Sequence, residues 1–312
     1  MGQDTAPLII FMPGMKPKPE PEKHLDALWR CLHEGLRRVD PDVASDVAAT
    51  AGSFVRASWT WVFYQRYRDI GIDLPGIDAL INTDEPSHKD RAEATSWRTR
   101  ATRWMFLLGD SLPFLINSLA GDDMRVTLAD VARYVDNRDG IGDQVRADLT
   151  RHLIDANVAK RPVLLIGHSL GSVIGWDTLW TLSHEKPGNV GADLFMTLGS
   201  PLGNHVIQRR IKGRFASPDK RYPTNLSRWV NMVAFGELTA LDRRMRNDYR
   251  AMETSGAIES IEDYDVYNHY RENGRLVVHS EYGYLTNRVT AGIIADWWRS
   301  HRSSLPARPT NV

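Results

Sequence analysis

The sequence predicts an α/β protein, with a mainly parallel sheet of about six strands flanked by helices and a helical, cap-like insertion. Three observations carry this. Short apolar runs alternate with segments of helical spacing, the pattern of strands buried under crossover helices. One such run passes through a glycine-framed turn straight into a helical pattern. Of the 312 residues, 42% are apolar and 25% charged, enough for one large core and too apolar for a disordered chain.

Residues 7–12 (PLIIFM) form a short apolar run stopped by Pro13-Gly14 and read as the first strand. Residues 21–50 follow with helical spacing in their first half, Leu25, Leu28, Trp29, Leu32 and Leu36 falling at three- and four-residue steps. Residues 53–59 fit a second strand and 162–166 (PVLLI) the clearest one. Residues 193–198, 227–235 and 276–279 are the remaining strand candidates. Helices are expected over 142–159, 171–183 and 286–301.

Between the second and third strands lie about a hundred residues, far more than a crossover needs. The excess defines a division into a core of residues 1–68 and 125–312 and a helical insertion over 69–124. The insertion concentrates Trp97, Trp104, Phe106, Leu107, Leu108, Phe114, Leu115 and Ile116. Gly109, Asp110, Ser111 and Pro113 interrupt it, which suits two short helices forming a lid. Trp104, Phe106 and Phe114 are its candidate substrate-binding residues, with packing onto the core as the alternative.

Charge excludes some partners. Lys plus Arg and Asp plus Glu both number 39, and this balance argues against a general nucleic-acid binder. Residues 205–230 are locally basic and read as a solvated loop face. The longest apolar stretch, 104–119, is too interrupted to span a bilayer. No basic-then-apolar leader opens the chain, and Ala6 stands where myristoylation needs Ser or Thr. The single cysteine, Cys31, cannot form an internal disulfide. A cytoplasmic location is the expectation.

The strongest motif is Gly167-His168-Ser169-Leu170-Gly171, between the apolar residues 163–166 and a helical pattern. In that context a serine sits on a tight strand-to-helix turn that lifts its hydroxyl above the sheet. Small residues two before and two after let strand and helix approach. With residues 164–172 (LLIGHSLGS), 197–202 (TLGSPL), 11–15 (FMPGM) and 279–284 (HSEYGY), the chain resembles the α/β-hydrolases, specifically lipase- and esterase-like bacterial serine hydrolases. The resemblance covers most of the chain outside the insertion. It implies a hydrolase sheet without the two leading strands, and a nucleophile, acid and histidine in that chain order.

Ser169 is then the nucleophile. Five histidines follow it: His184, His205, His269, His279 and His301. His279, after a short apolar run and before the last helix, stands where the family places its base, with His269 in reserve. The acid should follow the strand over 227–235. Glu237 is the first carboxylate there, although many relatives carry Asp. Asp242, Asp263 and Asp265 remain open, Asp242 on a helical run over 238–252. The oxyanion needs amide donors. Leu170 supplies one and Met15 or Gly14 the other, Pro13 having no N–H.

No metal or cofactor pattern competes. His33-Glu34 and His184-Glu185 meet Arg37 and Gly188 where a second histidine should stand, and residues 140–145 fail the dinucleotide pattern at Val145. The expectation is a cofactor-free ester hydrolase taking a small-molecule ester with an apolar part. Amide, thioester and acyl-transfer chemistry would use the same residues. A catalytically silent binding protein is the rival from another class.

Overall fold

In a computed structural model, residues 5–96 and 122–302 are described, apart from 187, 189, 239 and 241; for 122–128 only the backbone is. Trp104, Phe106 and Phe114 lie outside the described residues.

Strand β1 (Leu8–Met12) leads into α1 (Pro21–Val39) and α2 (Pro41–Ala49), then β2 (Phe54–Arg56) and α3 (Thr60–Tyr64). Helices α4 (Leu74–Ile81) and α5 (His88–Ala94) follow, and after the undescribed stretch α6 (Asp122–Val135) and α7 (Ile141–Val158). Then come β3 (Val163–His168), α8 (Leu170–His184), β4 (Ala192–Leu198), the short α9 (His205–Gln208) and β5 (Leu226–Ala234). The chain closes with α10 (Met245–Thr254), β6 (Ser260–Val266), a hairpin of β7 (Arg271–Glu272) and β8 (Arg275–Leu276), α11 (Glu281–Leu285) and α12 (Arg288–Ser300).

Strands β1 to β6 form one wholly parallel sheet in the order β2-β1-β3-β4-β5-β6. Side chains alternate across it, as the two-residue period of a strand demands. Ile10 and Met12 join Leu165, Phe195, Trp176, Trp229 and the α7 residues Val145 and Leu149 on one face. Ile9 and Phe11 join Leu164, Ile166, Met196, Leu28, Leu32 and Trp298 on the other. Both faces are covered, which is why β1 and β3 read as unbroken apolar runs rather than alternating ones.

Helix α1 buries Leu28, Cys31, Leu32 and Leu36 along one stripe; each buried leucine contributes roughly 1.5–3 kcal/mol. The stretch 21–50, read as helical in its first half, holds two helices. Pro41 starts the second, Asp40 accepts from the Val43 N–H at 3.2 Å, and Arg299 grips the same carboxylate at 2.8 Å.

The sixth strand is a correction. Residues 276–279 are not in the sheet: Leu276 belongs to the hairpin and His279 to the loop after it. The sixth strand is Ser260–Val266, paired with β5. As an edge strand with a half-exposed face it carries Glu262, Asp263 and Asp265, and its charge hides it from a search for apolar runs. Charge on an edge also discourages pairing with a second chain.

Of the insertion expected over 69–124, the described part packs on the body. Ile77 and Leu80 of α4 are buried in the core beneath α1, and α5 opens with a capping box of Ser87 and Asp90 whose carboxylate also holds Arg271. No described helix is long and apolar enough to cross a membrane.

Candidate active site

Four segments meet at the C-terminal end of the sheet. The first is the turn between β3 and α8. Ser169 there has φ 52° and ψ −127°, a backbone conformation costing a side-chain-bearing residue about 1–3 kcal/mol. Its surroundings hold it in place. The Ser169 N–H donates to Leu198 O at 2.9 Å. The Ser172 hydroxyl meets both Ser169 O and, at 2.6 Å, the hydroxyl of Ser200 beyond β4. Gly171 abuts the Met12 and Pro13 carbonyls.

The second and third segments bring His279 and Glu237 together, 42 residues apart in sequence. His279 Nδ1 donates to Glu237 Oε2 at 2.7 Å. Glu237, 1% exposed, also accepts from the Tyr284 hydroxyl at 3.3 Å and from the Leu238 N–H at 2.9 Å. Burial and the neighbouring carboxylate push the Tyr284 phenol well above its ordinary range, keeping it a donor. Gly199, at φ 56°, makes room for the pair. A Cβ there would lie 3.0 Å from His279 Nδ1 and 3.1 Å from Glu237 Oε2.

With Nδ1 engaged, His279 has Nε2 left for chemistry, and its side chain is 32% exposed. Among the described residues no hydrogen bond joins Ser169 Oγ to His279.

The rival residues are occupied elsewhere. Asp263 accepts from the Met245 and Arg246 N–H groups at the start of α10. Asp265 pairs with Arg243 and Arg244. Asp242 closes a local turn onto the Arg244 N–H. It lies before α10, which begins at Met245 rather than at 238 as the sequence suggests. His269 donates to Thr83 O on a different surface.

The fourth segment is the turn after β1. Trp59 Nε1 donates to Pro13 O at 2.8 Å, and the Lys16 N–H donates to the Tyr64 hydroxyl at 3.1 Å. Tyr64 in turn donates to Asp130. Among the described residues the Met15, Gly14 and Leu170 N–H groups have no acceptor, which leaves them available to an anion at the start of α8. Gly14 itself lies against the elbow. A Cβ there would sit 2.9 Å from Ser169 Cβ and 2.8 Å from His168 Nδ1. If Ser169 is the nucleophile that the sequence leads one to expect, Gly14→Ala should cut turnover by roughly a hundredfold with a change in melting temperature of only a few degrees. Steady-state kinetics and a thermal melt check it together.

One cluster escaped the reading of the sequence. Glu281, two residues past His279, is buried and accepts from Lys18 Nζ at 3.0 Å and His24 Nε2 at 2.7 Å. His168 Nδ1 lies 3.3 Å from its other oxygen. Burial alone would raise the Glu281 carboxyl, but Lys18, His24 and His168 hold it well below the usual range. Burial depresses His24 to about 4. The only signal available beforehand was that Glu281 and His168 fall inside the two motifs already quoted.

The His24 shift has a consequence for stability. Its pKa is depressed on folding, so the unfolded chain takes up the proton first. Stability is lost as pH falls from about 6.5 towards 4, by about 3 kcal/mol in all. Urea midpoints measured between pH 7 and 4 should show this slope, flattened in His24→Gln.

No group of three or more His, Cys, Asp or Glu able to hold a metal occurs among the described residues. Comparison with protein-family models, with curated proteins and with solved structures finds no match to this chain.

Proposed function

We propose that this chain is a serine hydrolase of the α/β-hydrolase type that cleaves carboxylic esters through an acyl-enzyme. One observation carries the reading. A serine held at positive φ on a strand-to-helix turn shares the C-terminal end of a parallel sheet with a histidine bound to a buried carboxylate. The strand order and the chain order Ser169, Glu237, His279 support it, matching the arrangement that the resemblance implies.

The chemistry follows from the parts. Ser169 Oγ attacks the ester carbonyl carbon while its proton passes to His279 Nε2. Glu237 stays ionised and steadies the imidazolium through Nδ1. The carbonyl oxygen, now carrying the negative charge, accepts from the Leu170 and Met15 N–H groups. The C–O bond breaks, and the departing alcohol takes the proton from His279. Water then attacks the acyl-serine, giving one proton to His279, and the released acid leaves Ser169 reprotonated. The apolar residues of the insertion, read from sequence alone, favour medium-chain over acetyl esters, each buried methylene adding about 0.8 kcal/mol of binding.

A fluorophosphonate probe tests the reading directly. It should label the wild-type protein at Ser169, located by peptide mass mapping, and p-nitrophenyl esters should be hydrolysed. A protein that neither reacts with the probe nor cleaves any ester of a graded chain-length series is not a serine hydrolase.

A further inference from the structure

We propose that Glu281 and His168 together form the positioning hub of this site, Glu281 tying the oxyanion turn to the base loop and His168 tying the nucleophile elbow to the base loop. The inference rests on the hydrolase reading above and deepens it. Lys18, three residues beyond Met15, brings in the oxyanion turn through both carboxylate oxygens at 3.0 Å. His168, directly before Ser169, packs on the carboxylate without a hydrogen bond: Nδ1 lies 3.3 Å from Glu281 Oε2 and has no hydrogen-bond partner among the described residues. Glu281 itself belongs to the loop that carries His279. His24, wholly buried on α1, ties the oxyanion turn and the base loop to a long helix through Glu281 at 2.7 Å.

The link to the base is the second nitrogen of His168. His168 Nε2 lies 2.8 Å from His279 O. A carbonyl only accepts, so Nε2 must carry the proton and donate. The two rings lie 4.7 Å apart, centroid to centroid. Asn268 Nδ2 holds the next carbonyl, Ser280 O, at 2.7 Å. The base is therefore fixed twice, its ring by Glu237 and its backbone by His168. Among the described residues no hydrogen bond joins Glu281, Lys18 or His24 to the His279 ring or Ser169 Oγ, so they are positioning residues, placing the segments and not the reacting atoms.

A structural purpose alone accounts poorly for this arrangement. Burying an ion pair generally gains no more stability than an apolar side chain of the same volume would, and its best-attested use is to fix register. Here it lies where three chain segments must agree to a fraction of an ångström, since a displacement of about 1 Å at a reacting group can cost a hundredfold in rate. The charged neighbours suit an ionised hub. Besides Lys18, the buried Arg56 guanidinium attracts Glu281, while Asp73 lies close enough to feel it.

Three single variants of the full chain test the hub: His168→Phe, His168→Gln and Glu281→Gln. Each is read by kcat and KM for a p-nitrophenyl ester, by the rate of fluorophosphonate labelling, by melting temperature, and by the downfield proton resonance of His279 Nδ1–H. Phenylalanine keeps the ring and loses the donor, and kcat should fall about ten- to a hundredfold with KM within about twofold. The His279 resonance should broaden or vanish. Glutamine places an amide nitrogen where Nε2 stood and should hold kcat within about threefold of wild type, with the resonance restored. Glu281→Gln should lower kcat at least about tenfold, and its loss should multiply with that of His168→Phe, because the two residues hold different pairs of segments. The proposal is overturned if both His168 variants behave alike, if Glu281→Gln leaves kcat unchanged, or if only the melting temperature moves. Should Glu281→Gln fail to fold, the His168 pair decides alone. A wild-type protein that neither labels nor turns over would instead refute the hydrolase reading, and the His279 resonance in the His168 pair would still decide the positioning role.

Discussion

Ser169→Ala is expected to abolish ester hydrolysis almost completely, lowering kcat/KM by roughly five to six powers of ten. The change removes one hydroxyl from a residue that contributes its backbone, not its side chain, to the hydrogen bonding of the turn. Its neighbours Ser172 and Ser200 keep their own contact, so the fold should survive. The weak activity left would come from the amide donors at Leu170 and Met15, which the mutation does not touch. Active-site titration of the purified variant beside wild type, with circular dichroism as a control for folding, gives the answer. Activity within tenfold of wild type would remove Ser169 from the mechanism.

His279→Ala should match that loss, because nucleophile and base act as one unit and removing either removes the step. Glu237→Gln should cost somewhat less, roughly three to four powers of ten, for a reason visible in its contacts. One carboxylate oxygen receives His279 Nδ1–H and the Tyr284 hydroxyl, and the other receives the Leu238 N–H. A glutamine amide must turn its NH2 towards one of these sets, so two donors face each other whichever way it flips. Steady-state kinetics on the three variants should rank them in that order. If Asp263→Asn or Asp242→Asn were instead the crippling change, Glu237 would be a buried structural carboxylate.

Much of this was legible in the sequence, for physical reasons. Strands β1 and β3 lie under helices on both faces, so residues 8–12 and 163–166 are unbroken apolar runs, while β4 and β5 stay mainly apolar around Asp193, Thr197, Ser227, Arg228 and Asn231. The elbow was legible because its steric demands are local: glycine two before, glycine two after, an apolar strand and a helix on either side. Strand β6 escaped because its position at the edge of the sheet admits Glu262, Asp263 and Asp265, and nothing in a run of acids announces pairing with β5. Chain order narrowed the carboxylate expected beside His279 to a few, and only three dimensions show that Glu237 is the one paired with it, while Asp263 spends its oxygens on the first turn of α10. The Glu281 cluster was beyond reach altogether. Its partner Lys18 is 263 residues away, and ion pairs at that separation leave no periodicity or spacing to read.

The strained backbone at Ser169 sets durability against usefulness. Its φ of 52° suits glycine better than serine, so part of the folding free energy is spent holding the hydroxyl upright. Glycine at this position would relieve the strain at some cost in unfolded-chain entropy, and it would carry no nucleophile. A directed-evolution campaign that rewards heat resistance alone would thus drift towards an inert scaffold at this codon. On the proposed mechanism, only selection on turnover would keep a serine there. Engineering this protein for robustness is better aimed at the helices of the far face, around α2 and α12, where nothing in the proposed reaction is at stake.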